Sequence, residues 1–220
     1  MKIVIKGAGD LATGVAWELF RAGHRIIMTE IAVPLTVRRQ VAYSRAVYER
    51  RAEVEGVTGV LAGSAEKAIA LSEQGVISVL VDPEARVREL WQPEVVIDAI
   101  MAKKNIGTTL TDAPLVLALG PGFTAGKDCH AVIETMRGEN LGRPIYKGSA
   151  IPNTGVPGMV GGYAMERLIK ASGDGLMKPV AAIGDIVEKG SLLAYTGGEP
   201  VYAQIDGVIR GMLQAGVPVK

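Results

Sequence analysis

Gly7-Ala8-Gly9-Asp10-Leu11-Ala12 follows the β-branched run Lys2 to Lys6 and opens an amphipathic stretch in which Leu11, Val15, Leu19 and Ala22 share one helical face. A G-x-G-x-x-A pattern between a strand and a helix suits pyrophosphate chemistry. Its glycines permit a tight turn and close backbone approach, and the helix N-terminus offers amides and a favourable dipole to an anion. Glu30 lies 21 residues past Gly9, at the end of the second expected strand, Arg25 to Thr29, where a carboxylate accepts hydrogen bonds from a ribose. The same carboxylate repels a 2′-phosphate, so NAD or another adenosine nucleotide is favoured over NADP despite Arg38 and Arg39 nearby in sequence. Asp10 opposes a phosphate at this turn unless its side chain caps the helix. A tight β-to-α connection whose glycines serve packing alone is the competing reading.

Three further segments hold chemistry-bearing side chains. Lys103-Lys104-Asn105-Ile106-Gly107-Thr108-Thr109 follows the apolar run Val95 to Met101, and so puts two cations and several hydroxyls at a strand's carboxyl end. It reads as an anion site or as a solvated loop. Asp98, embedded in that run, needs a partner if buried; Lys103, Lys104 or a ligand would supply one. Gly120-Pro121-Gly122-Phe123-Thr124-Ala125-Gly126 is dense enough in glycine to form a backbone nest for a phosphate or carboxylate, or simply to reverse the chain. His130 follows four residues later as an acid/base or a hydrogen-bonded structural histidine. Cys129, its strand neighbour, points to the opposite face and makes a poor chelating partner; we do not read it as a nucleophile.

The elements that must carry these residues change character along the chain. Up to about residue 108 strands and helices alternate. A helix reopens at Pro34 and Thr36 toward Arg45, a strand runs from Val54 to Leu61, and Ser64 caps a helix to about Gln74. Strand Ile77 to Val81 then leads through Asp82-Pro83, with Asp82 as a cap, to another helix. The nearly continuous apolar runs Ile77 to Val81 and Val95 to Ile97 suit buried parallel strands. Glycine is uneven: of 28, 20 lie between residues 107 and 216, so the second half is built from turns and strands. Pro114 to Leu119 and Ala131 to Met136 read as strands, a Gly/Pro loop spans 148 to 162, and a short helix lies around Met165 to Ile169. The last fifty residues alternate like a small barrel or sandwich. The predicted fold class is α/β. A Rossmann-like parallel sheet occupies 1–108, a glycine-rich β region 109–172 and a small β module 173–220, with an anionic ligand between the N-terminal and β domains.

Composition excludes several function classes. The 24 Lys plus Arg nearly balance 23 Asp plus Glu, a formal net charge of +1, which gives no long-range field for nucleic acid or an anionic membrane. One cysteine and two histidines cannot make an intramolecular disulfide or a four-ligand Cys/His zinc site, and no metal centre is expected. No apolar run reaches the ~20 residues needed to span a bilayer, so a cytoplasmic protein is expected.

Within the C-terminal module, Val180 to Leu193, with G-D-x-V-x-x-G, and Val201 to Val219, with D-G-V-I and G-V-P-V, look like two related half-motifs, and they resemble the biotinyl/lipoyl (barrel-sandwich hybrid) hammerhead. A carrier of that kind needs a lysine at its hairpin tip. The tip here is Thr196-Gly197-Gly198-Glu199-Pro200, so covalent lipoyl or biotin attachment is not expected.

Gly7 to Gly14, Asp98-Ala-Ile-Met-Ala-Lys-Lys-Asn105, Gly120 to Gly126, His130-Ala-Val-Ile-Glu-Thr-Met-Arg-Gly138 and Pro152-Asn-Thr-Gly155 together resemble the selenium-dependent molybdenum hydroxylase system accessory proteins, the YqeB-like family. The resemblance spans nearly the whole chain. It implies an accessory protein for maturation of molybdenum hydroxylases that carry labile selenium, with a molybdenum hydroxylase as partner and a molybdopterin nucleotide as an alternative ligand. It carries over no catalytic residue. Family members continue past the second half-motif, so the last module is expected to lack a closing strand. A homo-oligomer is also compatible with the sequence. Two other functions stay open: an NAD-dependent oxidoreductase with His130 as proton carrier, and a ligand-free adaptor for a hydroxylase subunit.

Overall fold

The computed structural model describes residues 1–220. The chain forms two compact units, one of Met1–Pro34 with Gln40–Asn153, the other of Leu35–Arg39 with Thr154–Lys220.

The first unit is a mixed α/β structure. In chain order it contains β1 (Lys2–Lys6), α1 (Asp10–Arg21), β2 (Arg25–Glu30), α2 (Ala46–Glu49), β3 (Arg51–Val54), β4 (Val57–Ala62), α3 (Ala65–Glu73), β5 (Ile77–Val81), α4 (Val87–Trp91), β6 (Val95–Asp98), β7 (Leu115–Leu119), β8 (Ala131–Ile133) and β9 (Pro144–Ile145). The strands make one nine-stranded sheet in the order β3-β4-β5-β2-β1-β6-β7-β8-β9. From β4 to β8 every pairing is parallel; β3 and β9 close the two edges antiparallel. From β1 the chain goes first to β2 on one side and later to β6 on the other, so the strand order reverses at β1.

Side chains alternate across the sheet as the strand period requires. Ile3, Ile5, Ile26, Met28, Val95 and Ile97 pack with Ala8, Ala12 and Ala16 of the α1 segment on one face. Val4, Ile27, Val96 and Val116 pack with Ala68, Val87, Trp91, Phe123 and Cys129 on the other. Both faces are covered, as expected for parallel strands that read as continuous apolar runs. Ser64 accepts the Lys67 amide at 3.3 Å and caps α3, and Asp82 accepts the Val87 amide at 2.8 Å at the start of α4.

Several expectations are corrected. No helix runs from Pro34 to Arg45. Residues 35–39 leave for the second unit, and the chain returns through 3₁₀ turns at Arg39–Val41 and Tyr43–Arg45. The strand expected from Val54 to Leu61 is a hairpin, because Glu55 and Gly56 both have positive φ (49° and 75°) and turn the chain between β3 and β4. The strand expected to reach Met101 ends at Asp98, and the one expected to reach Met136 ends at Ile133. The helix expected around Met165 to Ile169 is a single 3₁₀ turn, Met165–Arg167. The division expected at residue 108 falls inside the first unit, whose sheet continues through β7, β8 and β9.

The second unit is antiparallel β structure. It contains β10 (Gly175–Pro179), β11 (Ile186–Val187), β12 (Leu192–Thr196), β13 (Glu199–Tyr202), β14 (Gly207–Val208) and β15 (Pro218–Val219). A four-stranded sheet has the order β13-β12-β10-β15, and β11 pairs with β14. The two related half-motifs of the sequence therefore pair with each other, Ile186 opposite Val208 and Val187 opposite Gly207. Gly197 and Gly198, with φ of 61° and 93°, form the tip between β12 and β13. A Cβ on Gly197 would fall on the Asp174 carbonyl oxygen. Residues 35–39 are built into this unit: the Val37 carbonyl accepts the Met212 amide at 2.8 Å, Arg39 donates from Nε to the Met212 carbonyl at 2.7 Å and from Nη1 to Gln214 Oε1 at 2.6 Å. No helix of the protein is long and apolar enough to cross a membrane.

Candidate functional site

Three loops meet at the carboxyl ends of the central strands, and glycines set their approach. Gly7 has φ of 93°, and a Cβ there would lie 3.1 Å from the Ala99 carbonyl oxygen and 3.1 Å from Ile100 Cα. Gly122 has φ of 108°, and a Cβ there would lie 2.5 Å from the Lys104 nitrogen. The Gly7–Gly9 turn after β1, the 99–108 loop after β6 and the 120–123 turn after β7 thus touch through backbone, which only residues without side chains permit. Gly120 is similarly close to Thr135 Oγ1 and to Met101.

At the first turn Gly9 is the N-cap of α1, and no side chain caps it. Asp10 is not the cap; it is the first helical residue, where its charge complements the helix dipole. Ala12 is buried in the first turn of α1. Glu30 extends from β2 onto the same corner: its Oε2 accepts the Ala8 amide at 3.0 Å and its Oε1 the Ile31 amide at 2.8 Å. Burial pushes the Glu30 carboxyl above its ordinary value, against the lowering effect of these two amides. A carboxylate has about four lone-pair sites, so two remain for further donors. The Ala8 carbonyl accepts the Ser44 amide at 2.8 Å, and Ala8 is fully buried. Glu30 thus lies at the glycine corner and itself holds one of the corner's loop amides. Arg39 is engaged within the second unit.

On the opposite face of the sheet lies a polar cluster that the sequence reading saw only in part. Lys6 and Asp98 are neighbours in register across β1 and β6. Thr108 bridges them: Lys6 Nζ donates to Thr108 Oγ1 at 2.5 Å, and Thr108 donates to Asp98 Oδ2 at 2.6 Å, with 3.7 Å between the Lys6 ammonium and that carboxylate oxygen. All three are buried, Lys6 at 4%, Asp98 at 1% and Thr108 at 1% exposure. Asp98 Oδ1 also accepts the Ile100 amide at 3.2 Å. The partner expected for Asp98 among Lys103, Lys104 or a ligand is thus Lys6, reached through Thr108. Lys103 and Lys104 are exposed. Asn105 organises their loop: its Oδ1 accepts the Gly107 and Thr108 amides, its Nδ2 donates to the Thr108 carbonyl, and its own amide donates to the Gly122 carbonyl. The signal for Lys6 was a lysine ending the apolar Ile3-Val4-Ile5 run of β1.

The 120–126 segment divides in two. Its first part joins the loop cluster, but the amides of Thr124, Ala125 and Gly126 are held by Asp128 Oδ2, the Gly148 carbonyl and the Cys129 carbonyl. A nest open to an anion is therefore not what these three amides form. His130 precedes β8, and its Nδ1 accepts the amide of Val116 near the start of β7 at 3.0 Å. That is the amino end of these parallel strands, opposite the glycine corner. The imidazole is exposed there and is not brought to the site. Cys129 is fully buried, and burial, reinforced by Asp128 and Asp98, pushes its thiol up to about 11.

Glu134, just past β8, is a further fixed carboxylate. It is 2% exposed and accepts the amides of Thr135 (2.7 Å), Met136 (2.7 Å) and Ile151 (2.8 Å). Burial raises its carboxyl, but these three amides together outweigh that and hold it below its ordinary value. Two clefts, of about 590 and 500 Å³, share Arg50 and Val60 near the β3–β4 edge, and neither is lined by a residue of the glycine corner. No group of three or more His, Cys, Asp or Glu residues is arranged to hold a metal ion.

The fold and loop cluster define a mixed α/β protein whose chemistry-bearing loops gather where the strand order of a parallel sheet reverses. The chain is similar to "Uncharacterized protein YqeB" of Escherichia coli (strain K12), with 47% identity over 217 residues, 99% of this chain. It spans about two-fifths, 40%, of that relative's length. No family model matches the chain, and no solved structure matches it.

Proposed function

We propose that the first unit is a Rossmann-like domain that binds a nucleotide, NAD or another adenosine nucleotide first and a molybdopterin nucleotide second, at the Gly7–Ala12 corner. In this reading the pyrophosphate lies against the side-chain-free start of α1, Glu30 receives the ribose hydroxyls on its two remaining lone-pair sites, and Lys103 and Lys104 meet a second anionic group. The observation that carries it is the Glu30 carboxylate fixed on the Ala8 amide of the G-x-G turn, which follows the strand at which the order reverses. The second unit, with its paired half-motifs and a lysine-free Gly197-Gly198 tip, serves as a lipoyl-like scaffold without a covalent cofactor.

The wider role follows from family resemblance. We read the protein as a YqeB-like accessory factor for maturation of selenium-dependent molybdenum hydroxylases, delivering or holding a nucleotide-bearing species rather than turning over substrate. The NAD-dependent oxidoreductase reading loses its proton carrier, since His130 lies at the far end of the strands. Calorimetry with NAD, ATP and CTP, alongside native mass spectrometry of protein purified from its own host, tests the proposal. Binding of one of them, weakened by Glu30→Ala, is expected. Absence of binding by all three, together with no bound small-molecule mass, refutes nucleotide binding and favours a ligand-free adaptor.

A further inference from the structure

The 99–108 loop adopts a conformation that its own residues disfavour. Met101 and Lys103, neither of them glycine, have φ of 63° and 62°. Each such residue costs on the order of 1 kcal/mol or more, so something must hold the loop in place. Of its two exposed lysines, Lys103 is itself one of the strained positions and Lys104 follows it before Asn105; the loop's far end is Thr108.

We propose that Lys6, Thr108 and Asp98 form a buried latch that closes this loop onto the sheet and thereby positions Lys103 and Lys104. The Thr108 hydroxyl is the only side-chain group that ties the loop's end to the two central strands. It accepts from Lys6 of β1 and donates to Asp98 of β6, so a single hydroxyl satisfies a buried ammonium and a buried carboxylate at once. Without it, the Lys6 ammonium keeps only a 3.7 Å contact with the carboxylate, and Asp98 keeps that contact and the Ile100 amide. A buried pair left in that state is costly, which makes closing the loop the favourable way to satisfy both. Asn105 holds the same segment from within and links it to Gly122, so the latch also fixes the approach of the 120–123 turn. These are positioning residues. Their relevance to ligand binding rests on the nucleotide reading above, whereas the latch itself does not.

The test uses the full chain with Thr108→Val and Thr108→Ser. Serine keeps the bridging hydroxyl and valine removes it at nearly constant volume. Trypsin cleavage after Lys103 and Lys104, followed by mass spectrometry, reports loop release directly. Thr108→Val is expected to be cut about tenfold faster at these two bonds than wild type, with other sites unchanged, and Thr108→Ser at close to the wild-type rate. Folded Thr108→Val protein cut at the wild-type rate overturns the latch. Should Thr108→Val fail to fold by circular dichroism, Lys6→Met/Asp98→Leu carries the same test, because apolar replacement of a buried pair preserves packing while removing the latch's partners. ATP titration is the second arm. Where wild type binds ATP, Thr108→Val is expected to bind about tenfold more weakly and Thr108→Ser normally; equal affinity for Thr108→Val overturns the positioning role. Failure of wild type to bind ATP counts against the nucleotide reading and the positioning role together, while the cleavage result decides the latch.

Discussion

Glu30→Gln separates the acid's role toward ligand from its role in the fold. In the folded protein the carboxylate accepts two backbone amides, from Ala8 and Ile31. Glutamine retains one acceptor oxygen and turns an NH₂ toward the other amide, so one hydrogen bond of roughly 0.5–1.5 kcal/mol is lost. Against this, the variant no longer has to bury a charge. The net change in unfolding free energy is expected to stay within about 1 kcal/mol. Nucleotide affinity should respond more strongly. Hydrogen bonds between ribose hydroxyls and an ionised carboxylate contribute roughly 1.5–3 kcal/mol, equivalent to about a 10–150-fold rise in Kd when the charge is removed. The assay is calorimetric titration with ATP and with 2′,3′-dideoxy-ATP on both proteins. If Glu30 holds the sugar, the losses from variant and ligand overlap, and dideoxy-ATP binds both proteins alike. Fully additive losses would place Glu30 away from the ribose and refute the reasoning. pH supplies an independent check. Because burial raises the Glu30 carboxyl above 4.5, wild-type affinity should climb as pH rises through that raised value, and Glu30→Gln should lack this limb. The same shift disfavours the ionised folded form, so Glu30's contribution to stability is fully present below 4.5 and declines as pH rises through the raised value.

Other perturbations follow from the same geometry. Glu134→Ala leaves three part-buried amides without their charged acceptor and should cost roughly 1.5–3 kcal/mol in urea denaturation; Glu134's contribution is present above 4.5 and is lost as pH falls through its lowered value. Gly122→Ala and Gly126→Ala both place alanine at positive φ, but only the first puts a Cβ 2.5 Å from backbone, so it should lower stability by about 1–3 kcal/mol more than the second. Native Cys129 should resist a thiol reagent at pH 8 and react only after denaturation; rapid labelling of folded protein would contradict its burial and its thiol pushed up to about 11.

What the sequence revealed was local. The apolar runs of β1, β5 and β6, the Ser64 cap and the glycine corner all carry their information within a few residues, and each expected element forms. The Val54 to Leu61 strand was misread because Glu55, a residue uncommon at positive φ, makes half of the turn. The Pro34 to Arg45 helix was misread because that stretch answers to Met212 and Gln214, more than 170 residues away. Lys6 escaped notice for a related reason: its significance depends on a register with Asp98 that no spacing rule supplies. The boundary expected at 108 was suggested by the loss of helices. The sheet nevertheless continues, because the β7–β8 connection covers one face with Phe123, Ala125 and Cys129 in place of a helix.

The chain's short excursion at residues 35–39 has a consequence for modularity. No single peptide bond divides this protein into two self-sufficient pieces. A fragment ending at Asn153 carries Val37 and Arg39 without the backbone of Met212 that they grip, and one beginning at Thr154 lacks the strip that covers its own Gly211. The two units are stitched rather than strung, so neither can be exchanged for a foreign counterpart by simple end-to-end fusion.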